Sequence, residues 1–194
     1  MAGDIRRAQD PALLDALDSR KRETFRGTVW RVVQEGRSPT QGSALGGRWD
    51  LGAQSGSSSF SILYTSLTPD GAIAEVEYHL SRQPVFPSRY RGVLHELHVE
   101  LKAVLRFESL SDLEALGVEA TRYSEIRYAR TQEIGDAAAF LGYDALVAPS
   151  ARWPANNLMI FLEALSLNQI SAIGSSTIDW QAWRSAHRRK SRRP

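Results

Sequence analysis

The 194-residue sequence predicts an α+β fold, a compact mixed β-sheet core with short helices interspersed. Two observations lead there. Residues 93–103 alternate apolar and polar side chains as a half-buried strand does. Shorter β-branched, aromatic or apolar runs at 28–33, 60–66, 145–148 and 158–162 are separated by segments carrying clear helix start and stop signals. With 42% hydrophobic residues the chain can bury the core of one domain.

Taken in order, Asp10-Pro11 followed by Ala-Leu-Leu-Asp-Ala-Leu reads as an N-cap, a proline at the first helical position and a short amphipathic helix. The first strand, 28–33, sets Trp30 and Val32 on one face and Val29, Arg31 and Val33 on the other. Both faces are apolar, so Arg31 is expected to be partly buried with an anionic partner, because an unpaired buried guanidinium is costly. Residues 36–59 are rich in glycine and serine and read as a long loop, interrupted by Gly46-Gly47-Arg48-Trp49. After the 60–66 strand, Thr68-Pro69-Asp70 starts a helix with Ile73, Val76 and Leu80 as its apolar stripe; Pro84 and Pro87 end it. Ser111-Asp112 caps a short helix closed by Gly117, and residues 131–141 form another, stopped by Gly142. Two buried strands, 145–148 and 158–162, flank a Pro-Ser-Ala-Arg-Trp-Pro turn. An edge strand at 170–173 and a terminal helix at 179–187 complete the pattern, and no internal repeat is evident. The expected organisation is an N-terminal helical extension (1–24), one domain over 25–183 and a basic tail over 184–194.

Charge is uneven along the chain. Six of the 24 basic residues, Arg184, Arg188, Arg189, Lys190, Arg192 and Arg193, fall in the tail, leaving 18 basic against 22 acidic side chains before it. The net +2 therefore belongs to the tail, which reads either as a solvated end or as a patch for an acidic partner or nucleic acid. Nothing in it reads bases specifically. The absence of cysteine excludes disulfides and thiolate metal sites and fits a reducing compartment. No apolar run approaches the ~20 residues that span a bilayer, and the N-terminus lacks a signal-peptide pattern, so a cytoplasmic protein is expected.

Five residues stand out chemically. Arg31 reads either as a structural ion-pair former or as a clamp for phosphate or carboxylate. Gly46-Gly47-Arg48 is either a plain turn or a place where backbone N–H groups and Arg48 approach a pyrophosphate. Tyr64 is either a core aromatic or a stacking platform for a flat ring. Glu75 and Glu77, two apart on a helix, point ~200° away from each other, so one of them at most serves a site. Ser150 is either a turn former or a site residue at the end of a strand. Together these types suit an anionic dinucleotide and a positive charge developing on its sugar. No Gly-x-Ser-x-Gly elbow, P-loop or dinucleotide-binding glycine motif is present, the histidines lack metal-ligand spacing, and no second carboxylate stands opposite Glu75 as a glycosidase requires.

In sequence order, Val-Trp-Arg-Val, Gly-Gly-Arg-Trp-Asp, Leu-Tyr-Thr, Ala-Glu eleven residues after the tyrosine, Thr-Gln-Glu-Ile-Gly-Asp and Val-Ala-Pro-Ser-Ala resemble the RES-domain family, named for an arginine, a glutamate and a serine. The resemblance covers 28–162. It implies a fold similar to ADP-ribosyltransferase toxins and the toxin half of a bacterial type II toxin–antitoxin pair. It also implies consumption of NAD as substrate without a metal, either by degradation or by transfer of ADP-ribose to a protein acceptor. Matching the motifs places catalytic roles on Glu75, Arg31 and Tyr64, and NAD contacts on Arg31, Arg48, Tyr64 and Ser150. The implied partner is a cognate antitoxin with a helix-turn-helix DNA-binding part; direct nucleic-acid binding and membrane attachment are not expected of the toxin itself. Asp50 stands where the family usually has asparagine, the 51–59 connector is longer than usual, and Phe-Leu-Glu (161–163) replaces the common Asn-Pro. The alternative from another class is a non-enzymatic binding module that uses the basic tail on nucleic acid or an acidic partner.

Overall fold

The computed structural model describes residues 10–43, 46–51, 60–126, 128–166 and 168–187. Helix α1 (Pro11–Asp18) leads into strand β1 (Glu23–Gln34); β2 (Ile62–Ser66) is followed by α2 (Pro69–Ser81) and the long β3 (Gly92–Arg106). Helices α3 (Leu110–Glu114) and α4 (Ala129–Phe140) precede β4 (Ala145–Pro149), β5 (Asn156–Phe161), β6 (Ile170–Thr177) and α5 (Trp180–His187). Among the described residues the strands form one mixed sheet in the order β1-β2-β5-β4-β3-β6. A further pairing of β1 with β3 closes β1, β2, β5, β4 and β3 into a ring, with β6 attached to the outer part of β3. The α+β expectation is borne out.

Both faces of the ring's central strands carry apolar side chains. Along β4, Ala145 and Val147 join one buried cluster with Leu63, Leu97, Leu158 and Ile160, while Leu146 and Ala148 join another with Met159 and Phe161. The second cluster also takes Ile134, Ala137 and Ala138 of α4 and Leu13 and Leu17 of α1. Helix α1 is thus built into the core. A third cluster packs Ala72 and Ile73 of α2 on Val32, with Trp180 and Trp183 of α5 beside them.

Local signals explain most element ends. Asp10 accepts from the N–H of Ala12, and Thr68 from that of Gly71, so α1 and α2 start where their caps and prolines require. The cap of α3, by contrast, is Ser109 rather than Ser111. Asp112, at the third helical position, accepts from the N–H groups of Glu108 and Ser109 in a capping box. Helix α4 likewise begins two residues earlier than its apolar periodicity suggests. Strand β1 starts at Glu23, five residues before the β-branched run, because it pairs with β3 from Glu23↔Val104 to Gln34↔Gly92. That ladder contains a bulge opposite Glu23–Phe25, where β3 carries one extra residue between Leu101 and Val104. The bulge returns Val104 to the face of Leu101, and the Asp144 carboxylate accepts from the freed N–H groups of Lys102 and Ala103. The clean alternation of the sequence ends at this point although the strand continues.

Of the long loop, Ser43 bridges to Ile62, and residues 46–50 fold into a tight turn in which the Gly47 N–H donates to the Asp50 carbonyl. Gly46 adopts φ +77°, the left-handed conformation that such a turn needs. Most of the 51–59 connector and residues 188–194 of the tail lie outside the described residues. The turn is seated on α4: the Gln132 side-chain amide donates to the carbonyls of Gly47 (2.9 Å) and Asp50 (3.1 Å), and Gly135 lets the Trp49 carbonyl lie directly against the helix. On its other side the Tyr64 hydroxyl donates to Asp50 Oδ1 at 2.6 Å and accepts from the Trp49 N–H. Asp50 is 1% exposed and its second oxygen has no partner among the described residues, so burial raises its pKa; burial, and then the Asp50 charge, push that of Tyr64 well up.

Two outcomes follow from this seating. Gly135→Ala places a methyl group on the Trp49 carbonyl and is expected to cost ~1–3 kcal/mol in denaturant unfolding. A raised Asp50 pKa means that the folded chain holds this proton more tightly than the unfolded chain. Its contribution to stability is therefore full at low pH and declines as pH rises through the ordinary carboxylate range of ~3.9 toward the raised value. Asp50→Asn removes that decline, so the Tm of the variant relative to the parent should increase between about pH 3.5 and pH 7 when thermal unfolding is followed at both.

Candidate functional site

A cleft of about 520 Å³ opens between β1, β2, the middle of α2, the 46–50 turn and the facing ends of β4 and β5. Arg31, Arg48, Tyr64 and Glu75 all line it. Four separate stretches of chain therefore bring the chemically distinctive side chains together. Glu77, the other member of the Glu-x-Glu pair, is turned away from it and meets Arg184 of α5 at 3.5 Å.

Arg31 lies mid-strand on β1, opposite His95 of β3. The expected anionic partner is not there: among the described residues no carboxylate pairs with Arg31, and its Nη1 is buried without a hydrogen bond. Burial lowers its pKa to about 10, which still leaves it charged at neutral pH, and lowers that of His95 as well, with the Arg31 charge adding to the effect. No acid among the described residues forms an ion pair with it, so the guanidinium lines the cleft with burial as the dominant influence on its charge. Such a group is stabilised by any anion that enters.

Arg48 is held differently. Its guanidinium carbon sits 4.5 Å from the Tyr123 ring centroid and 4.6 Å from that of Tyr128, a cage of two aromatic faces. Stacking leaves the hydrogen-bonding edge of the fork free for a planar anion. Tyr123 is itself anchored, its hydroxyl donating to the Pro149 carbonyl at 2.8 Å, and burial raises its pKa.

Glu75 is the one acid lining the cleft among the described residues. Its Oε1 accepts from Ser150 Oγ at 2.7 Å and from Asn157 Nδ2 at 2.8 Å. Ser150 Oγ in turn accepts from the N–H groups of Arg152 and Trp153. Ser150 lines a neighbouring hollow rather than this cleft and reaches it only through Glu75. His79, one helical turn beyond Glu75, also lines the cleft. Burial holds its imidazole below the usual range, offset in part by Glu75. Tyr64 lines the cleft while its hydroxyl is committed to the 46–50 turn, and a side chain at Gly47 would come within 2.5 Å of that hydroxyl.

Several residues that matter here carried no signal of their own. Tyr123 and Tyr128 lie in a stretch without periodicity, Arg152 in a turn, and Asn157 at the start of a strand noticed only from Leu158 onward. The Thr-Gln-Glu-Ile-Gly-Asp motif did carry a signal, and Gln132 and Gly135 now account for two of its positions as the seat of the arginine-bearing turn. Among the described residues no group of three or more His, Cys, Asp or Glu is arranged to hold a metal ion, and no helix is long and apolar enough to cross a membrane.

No curated protein sequence matches the chain. Among solved structures, a chain of the M. tuberculosis MbcT–MbcA toxin–antitoxin complex superposes with a TM-score of 0.79 at 21% identity, over 92% of this chain and 98% of that one. At that identity the likeness establishes a shared fold. The family model described as the RES domain matches residues 28–184, which take in every residue lining the cleft, and the chain belongs to the RES-domain family.

Proposed function

We propose that this protein is the toxin of a toxin–antitoxin pair and that it cleaves the nicotinamide–ribose bond of NAD. The observation that carries the reading is the convergence of two unneutralised or stacked arginines, a tyrosine and a fixed glutamate on one cleft of suitable size for a dinucleotide. Family membership and the toxin–antitoxin assembly of the structural neighbour support it.

In the reaction the C1′–N bond of the nicotinamide ribose breaks and its electron pair leaves with the nicotinamide nitrogen. The ribosyl group becomes oxocarbenium-like, an acceptor oxygen forms the new bond to C1′, and the acceptor releases its proton. Glu75 hydrogen-bonds the ribose hydroxyls and stabilises the positive charge. Arg31 and Arg48 bind the pyrophosphate: Arg31 gains the counter-charge that the fold withholds, and Arg48 presents its fork from the tyrosine cage. Tyr64 offers its ring to nicotinamide, and Ser150 acts by orienting Glu75. The acceptor is water, phosphate or a protein side chain. The partner is an antitoxin with a DNA-binding helix-turn-helix part that covers the cleft.

Removing a contact made mainly in the transition state costs ~3–4 kcal/mol by analogy with oxyanion donors, so Glu75→Ala should reduce NAD turnover at least about a hundredfold while circular dichroism stays parental. A folded Glu75→Ala protein that depletes NAD at the parental rate takes the carboxylate out of this role. Arg48→Ala should act mainly on binding, raising KM for NAD roughly tenfold with a smaller change in kcat, because the pyrophosphate is held alike in ground and transition states. Incubation with NAD labelled in its ADP-ribose part, with and without cell extract, decides the acceptor. Label on a protein band indicates transfer, and free ADP-ribose or its phosphate ester indicates degradation.

A further inference from the structure

We propose that Asn157 is a positioning residue for Glu75, and that with Ser150 it commits one carboxylate oxygen to the protein so that the other alone meets the substrate; the proposal rests on the NAD-cleaving reading above. Asn157 is the second residue of β5 and sits between Ser66 of β2 and Ala148 of β4 in the sheet. Glu75 comes from α2, so its side chain would be free to change rotamer were nothing outside the helix holding it. Two donors from neighbouring strand ends remove that freedom, and both go to Oε1.

The direction of both donors is determined. Ser150 Oγ already accepts from two backbone N–H groups, so its single proton is left for Glu75. In Asn157 the opposite amide orientation would aim Oδ1 at Glu75 Oε1, oxygen against carboxylate oxygen. The orientation that donates to Glu75 leaves Oδ1 buried with no partner among the described residues. A buried unsatisfied acceptor is destabilising, and a leucine would occupy nearly the same volume without it. The amide is thus unfavourable for stability alone and makes sense for the hydrogen bond it gives.

The test compares the parent with Asn157→Leu and Asn157→Asp by NAD turnover against pH, thermal unfolding, and 13C NMR titration of the Glu75 carboxyl without substrate. Asn157→Leu is expected to lower kcat about tenfold or more, with KM within about twofold and Tm unchanged or higher. Asn157→Asp sets a second carboxyl about 2.8 Å from Glu75 Oε1. The two groups then share one proton, and both the acid limb of kcat and the Glu75 titration should move up by about one pH unit or more. A Glu75 titration unmoved in Asn157→Asp, or parental kcat in folded Asn157→Leu, overturns the proposal. A parent that consumes no NAD while its Glu75 titration responds to Asn157→Asp instead sinks the enzymatic reading and leaves the positioning intact.

Discussion

The pairing of β1 with β3 is the constraint on which the remaining structure depends. It runs from Glu23↔Val104 to Gln34↔Gly92, and Trp30 of the same strand also bridges to Ser66 of β2. A strand that pairs on both sides turns an open sheet into a ring and places β2 and β5 across from β1. The apolar side chains of β4 and β5 then have buried surroundings on both faces, which explains why these strands read as continuous hydrophobic runs. Closure also sets Arg31 of β1 near Tyr64 of β2 and Asn157 of β5. The cleft is thus a by-product of how the ring shuts.

Electrostatics divides the cleft between groups that are satisfied by the protein and groups that are left wanting. Arg31 is partly buried, charged and, among the described residues, without an acid. Arg48 is stabilised by two aromatic faces, which hold the cation without consuming its hydrogen-bonding edge. Glu75 has one oxygen doubly bonded to the protein by hydrogen bonds, and among the described residues its other oxygen takes none. Groups in that condition gain more from a complementary ligand than groups already paired. The same pattern appears behind the cleft wall, where Asp50 is buried with a single side-chain donor, Tyr64. That phenol–carboxylate hydrogen bond holds the arginine-bearing turn on the side away from Gln132.

Helix α5 packs beside α2 and the turn after β4. Trp183 stacks near Trp153, 5.6 Å between centroids, and Trp153 belongs to the turn whose N–H groups hold Ser150. Arg184, counted with the basic tail from composition, pairs with Glu77 of α2.

What could be read from the sequence was what local chemistry dictates. Caps and prolines placed α1 and α2, alternation placed β3 as far as Ala103, apolar runs placed β4 and β5, and the ordered motifs pointed to Arg31, Arg48, Tyr64, Glu75 and Ser150 together. The helical spacing of Glu75 and Glu77 already separated their roles. What lay beyond reach depended on partners distant in the chain: the start of β1, which pairing with β3 determines; the bulge that Asp144 stabilises; the tyrosine cage around Arg48; and the lack of an acid beside Arg31. Propensity and periodicity act over a few residues, whereas a hydrogen bond such as that between Asn157 and Glu75 exists only once two remote segments have been brought to 2.8 Å by the closed sheet. The sequence by itself determined which side chains were available for anion and cation stabilisation; tertiary structure alone decided which of their atoms are already bonded and which face the cleft.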